Sequence, residues 1–110
     1  MKTLTVDGYV VKIGEDAREN TNLVQHAHKK HLWFHLTNFP SPHVVLECSD
    51  PRIVPAAVKQ KCAALVRFYS AHRQSAKLIH VDMVLMKWVK PTDVDGEVEL
   101  LKGAQSVFKV

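Results

Sequence analysis

Three side chains concentrate the most chemistry. In Leu32-Trp33-Phe34-His35-Leu36 the apolar residues 32, 34 and 36 alternate with Trp33 and His35. An extended chain therefore turns Trp33 and His35 to the opposite face. If the next alternating run, Val44, Leu46 and Cys48, pairs with this one across the loop 37–42, an even register sum sets His43 beside His35. An indole and two imidazoles on one face can stack on a base and touch a phosphate. The competing reading has the second helix covering this face, with Trp33 in the core and the histidines satisfied internally. A metal-free acid–base pair of His35 and His43, as in RNA cleavage, is a third use.

Arg67, Arg73, Lys77, Lys87 and Lys90 are the candidate electrostatic contacts. Each alone reads as a solvated residue, so their value lies in clustering. His26-Ala27-His28-Lys29-Lys30-His31 invites a metal. On a helix, however, positions 26 and 28 point apart, no Cys or carboxylate completes a set, and two lysines oppose a cation. A polar helix C-terminus suits these residues better. Cys62 falls on an apolar helix stripe and makes a poor nucleophile. The sequence holds no nucleophile elbow, phosphate-binding glycine loop or dinucleotide fingerprint. The expectation is a protein without catalysis, cofactor or metal.

These residues need a scaffold, and the patterning supplies one. Leu4 and Val6, then Asp7-Gly8, then Tyr9, Val11 and Ile13 spell a β-hairpin. Asp16 with Glu19 caps a helix predicted over about 17–29, with Leu23, Val24 and Ala27 at helical spacing. The strands at 32–36 and 44–48 follow. Pro55 opens the longest predicted helix, about 55–72, whose stripe is Val58, Cys62, Leu65, Val66 and Tyr69. Ile79, Val81 and Met83 continue as a strand toward Leu85. Val98, Leu100 and Val107 suggest a closing hairpin around Lys102-Gly103. The sum is an α+β fold, a single compact domain over 1–110, with two helices on a mostly antiparallel sheet.

A chain of 110 residues, 46% hydrophobic and 24% charged, is an ordinary globule with room for one core. That balance excludes general disorder, and no apolar run approaches the roughly 20 residues of a membrane span. Met1-Lys2-Thr3 enters an alternating segment without an apolar signal region, and Cys48 and Cys62 read as two reduced, half-buried thiols. A cytoplasmic location is the expectation. The net charge of +4 is unevenly spread. Residues 26–90 hold ten bases against three acids and all seven histidines, whereas 1–25 and 91–110 are slightly acidic. That concentration favours a polyanionic partner. Several histidines charging near pH 6.5 would tighten its binding as pH falls.

The order of the motifs resembles one family. Ile13 to Leu23, with Gly14, Ala17, Asn20 and Leu23, is similar to the run that opens the NFACT RNA-binding domain. Trp33-Phe34-His35 resembles its tryptophan-aromatic-histidine strand, and Pro40-Ser41-Pro42-His43-Val44 its proline-glycine-serine-histidine-valine turn. Tyr69-Ser70 followed by Arg73 resembles its helix end, and Val81 through Lys90-Pro91 to Gly96 and Val98 its C-terminal pattern. The likeness covers about residues 8–100. It implies RNA as partner, tRNA or the large ribosomal subunit, in ribosome-associated quality control or translation. It also implies roles in binding for Asn20, Trp33, His35, His43, Ser70 and Arg73. Some eukaryotic members with a coiled-coil tail are tied to DNA, so DNA stands as an alternative. Two departures, Ser41-Pro42 in the turn and Asp93 with Asp95 after Lys90, are expected either to weaken that binding or to redirect it to a protein partner.

Overall fold

The computed structural model describes all residues, 1–110. Its first hairpin follows the alternation: β1 (Lys2–Val6) returns as β2 (Tyr9–Gly14). Asp7 and Gly8 both take positive φ, 49° and 88°, as a two-residue turn matched to strand twist requires. The Asp16 carboxylate then accepts the Glu19 amide at 2.8 Å, and Glu19 reaches back to the Glu15 amide at 3.0 Å. That cap starts α1 (Ala17–His26). The helix stops short of residue 29 because Ala27 turns extended and the following loop binds its own amides. The Lys30 amide donates to His28 Nδ1 at 3.1 Å, and the His28 amide to His31 Nδ1 at 3.3 Å.

β3 (Leu32–Leu36) and β4 (His43–Leu46) precede α2 (Ala56–Phe68), β5 (His80–Leu85), β6 (Val89–Pro91), β7 (Val98–Leu100) and β8 (Ser106–Lys109). Pro55 caps α2 from outside rather than opening its first turn. The helix ends before residue 72 because the Ser70 hydroxyl donates to the Arg67 carbonyl at 2.8 Å and accepts the His72 amide at 3.1 Å. A serine that bonds its local backbone in this way offers the chain a turn in place of helix.

Six strands form one antiparallel sheet in the order β1-β2-β4-β3-β5-β8. The side bearing Val11, Ile13, Leu32, Phe34, Leu36, Val44, Leu46, Val81 and Met83 packs on Val58, Cys62, Ala63 and Val66 of α2. Burying Phe34 there contributes about 1.5–3 kcal/mol relative to leaving it in water. The other side, with Trp33, Val45 and Val84, is covered by Leu23 and Val24 of α1 and by the β6–β7 ribbon. The expected closing hairpin around Lys102-Gly103 does not form: β7 pairs with β6, and β8 with β5. Val98 serves the core under α1 and Phe108 the core under α2, so the two strands belong to opposite layers. No helix is long and apolar enough to cross a membrane.

Candidate nucleic-acid interface

Trp33, His35 and His43 do meet on one face. The Trp33 and His35 rings stack at 5.3 Å and 4° between planes, and His43 stands edge-on to both, at 5.4 and 4.9 Å. That face is interior. Trp33 is 3% exposed and His43 1% exposed, because α1 and the β6–β7 ribbon lie over them. The cover is thus α1 and the ribbon, not the longer helix. The Trp33 Nε1–H donates to His43 Nδ1 at 3.2 Å, which places the His43 proton on Nε2. Burial, and then the neighbouring His35 ring, pull the His43 imidazole down to about 3, against the opposing pull of the Gly96 carbonyl. His35 donates from Nδ1 to the Leu36 carbonyl at 2.7 Å, and burial lowers its pKa as well. Direct stacking of Trp33 and His43 on a base is therefore corrected to a scaffolding role, with His35 alone of the three keeping partial access to solvent.

Asn20 belongs to the same scaffold. Its Oδ1 accepts the His43 amide at 3.2 Å, which ties α1 to the first residue of β4. Gly14 makes the approach feasible, since a Cβ there would lie 2.2 Å from Asn20 Oδ1. Next to Asn20 on α1, the Thr21 Oγ1 accepts the Gly96 amide at 2.7 Å. Gly96 has φ +80°, and a Cβ on it would press Ala17 at 3.0 Å. A shallow cleft beside His35 reaches Asn20 and Ser70 and is rimmed by Glu15, Asp16 and Asp95. A second reaches Trp33 and His43 and is rimmed by Asp82 and Glu97. Neither carries a Lys or Arg, so neither attracts a phosphate backbone. In the altered turn Ser41 has a local task, its hydroxyl accepting the Leu36 amide at 3.0 Å.

The cations divide by location. Arg67 is committed inward, its guanidinium donating to the Val110 and Ser75 carbonyls, so the expected phosphate contact is here a clamp on the chain. Arg73 and Lys77 are exposed beyond α2. Lys90 sits opposite Glu99 in the ribbon. Lys87 instead joins residues not singled out in the sequence. With Lys29, Lys30 and Arg52 it lines an open basin of about 440 Å³. The Lys87 amide donates to the Lys29 carbonyl at 3.1 Å and the Met86 amide to His31 at 2.9 Å, which pins the lysine loop to the end of β5. Asp50 engages Arg52 through Nε and Nη2 at 3.0 and 3.1 Å, and the pair holds the Asp50 carboxyl below its usual range. No carboxylate lies within ion-pair distance of Lys29, Lys30, Lys87 or Lys102. The Lys87 and Lys102 ammonium groups stand 4.9 and 4.6 Å from the centre of the Trp88 ring. Lysines spread through sequence give no local signal of this convergence. The adjacent Lys29-Lys30 pair was the only hint. Cys62 is fully buried rather than half-buried, and burial pushes its thiol up to about 12.

Sheet, covering helices and a basin lined by three lysines outside any ion pair together define a small α+β domain. The model of the NFACT protein RNA binding domain matches residues 1–108, and the chain belongs to that family. It is 30% identical over 93 residues to coiled-coil domain-containing protein 25 of Mus musculus, covering 79% of this chain and 44% of that one. It is 36% identical over 86 residues to the Rqc2 homolog RqcH of Streptococcus pneumoniae, covering 76% of this chain and 15% of that one. Its fold is similar to the solved C-terminal part of the fibronectin/fibrinogen-binding protein from Streptococcus suis, with TM-score 0.84 and 29% identity over 98% of this chain and 43% of that one. The chain thus spans under half the length of each of these proteins.

Proposed function

We propose that this protein binds structured RNA of the translation machinery, tRNA or ribosomal RNA, without catalysis, cofactor or metal. Kinship with an Rqc2 homolog supports a place in ribosome-associated quality control, and hence in the cytoplasm. The observation that carries the reading is the basin where Lys29, Lys30 and Lys87 meet without an ion pair, its one carboxylate, Asp50, being bound by Arg52. Such ammonium groups release counterions from a nucleic-acid backbone when they displace them. Lys102 and Trp88 extend the surface with a cation-flanked indole face. The histidine pair lends itself poorly to acid–base work, because His43 spends Nδ1 on Trp33 and stays neutral down to about pH 3. Fluorescence anisotropy against tRNA, with double-stranded DNA of equal charge as control, tests this. The expected result is tighter binding to tRNA that weakens several-fold in the Lys29→Gln/Lys30→Gln variant. Equal, weak, salt-erased binding to both would contradict it and turn the search to protein partners.

A further inference from the structure

At the far end of β3 from the lysine basin, two phenylalanines stand in water. Asn38 takes φ 63°, a left-handed conformation that asparagine tolerates. It presents Phe39 at the tip of the β3–β4 loop, 49% exposed. Phe68, the last residue of α2, is 46% exposed. Two half-exposed rings of this size, linked through the adjacent residues His72 and Arg73, form an apolar patch of the kind that marks an interaction site. The turn that follows α2 gives each ring a basic neighbour. The Arg73 guanidinium lies over the Phe68 ring at 4.0 Å, and the His72 ring leans on Phe39 at 4.9 Å.

The arrangement is braced. Ser70 bonds the His72 amide, and Arg67 grips the Ser75 carbonyl from beneath. On the other side the Thr37 hydroxyl donates to Asp82 at 2.6 Å, engaging one of the two carboxylates that share a cleft with Phe39. Between Asp50 and Asp82 the chain carries six Lys and Arg and no acid. Phe68, His72 and Arg73 lie inside that stretch, and Phe39 joins them through His72. Two flat rings with a guanidinium over one of them match an unstacked base whose phosphate meets Arg73 rather than the acidic cleft beside Phe39. Every base has a π-face, so such a platform takes single strands without choosing sequence.

We propose that Phe39, Phe68, His72 and Arg73 form a stacking platform for an unpaired RNA segment. β3 separates it from the lysine basin by about 15 Å, at roughly 3.3 Å per residue. The inference rests on the RNA-binding reading and adds what that reading lacks, a preference for single strands.

Anisotropy with a labelled unpaired RNA and a hairpin of equal phosphate number tests it on the full chain. Phe39→Leu/Phe68→Leu keeps apolar volume while removing both rings, and Phe39→Trp/Phe68→Trp keeps rings. The leucine pair is expected to weaken single-strand binding about tenfold or more, leave hairpin binding within about twofold, and be rescued by the tryptophan pair. Leucine variants that bind the single strand like wild type, or that lose both RNAs equally, overturn the platform alone. So does retained RNA affinity with loss of a nuclease-resistant protein complex, which assigns the face to protein. Wild type that binds neither RNA contradicts the RNA-binding reading itself.

Discussion

His43 shows how far one environment moves a side chain from its ordinary use. An imidazole near 6.5 in the unfolded chain is held neutral to about 3 by burial beside His35. Below pH 6.5 the unfolded state therefore takes up a proton that the folded state refuses. Stability falls with pH by about 1.4 kcal/mol per unit until pH nears 3, and it is full above 6.5. His35 shifts in the same direction for the same first cause. Urea unfolding at pH 7 and pH 5 is expected to show a loss of about 2 kcal/mol from His43, with a shallower slope in His43→Gln. Parallel slopes would contradict the assignment. Held neutral to about 3, His43 is removed as a source of tighter binding near pH 6.5, while burial shifts His31 and His35 downward as well.

At the scale of elements, the seam between β2 and α1 depends on a missing side chain. Gly14 lets Asn20 reach the His43 amide, and its absent Cβ would sit 2.2 Å from Asn20 Oδ1. Gly14→Ala must break that bond or shift the helix. Chemical denaturation is expected to register a loss of about 1–3 kcal/mol. A variant as stable as wild type would show the approach to be slack. The strands and caps were legible because their causes are local: alternation, Asp7-Gly8, and Asp16 with Glu19. The register that sets His43 beside His35 was legible too, since it follows from a short loop between patterned strands. Helix ends were misread where side chains bind the backbone, as Ser70 and His28 do. The pairing of β7 and β8 was misread because a turn signal at Lys102-Gly103 carries no knowledge of which layer each strand covers.

At the scale of the whole molecule, charge and burial sort the functional candidates. The basic segment was legible in the sequence, but which of its residues reach the surface was not. Trp33 and His43 lie inside, Arg67 clamps the chain, and the lysine basin gathers residues 29, 30 and 87 through a backbone bond between distant segments. No local pattern encodes that convergence. The central claim is that these lysines meet an RNA backbone. Its most direct test is tRNA affinity measured across a salt series for wild type and for Lys29→Gln/Lys30→Gln/Lys87→Gln. About four displaced counterions give a wild-type slope of log affinity against log salt between about −3 and −4, and the triple variant is expected to flatten it by about 2–3. A slope near zero in wild type, or one that the triple variant leaves unchanged, would contradict the account.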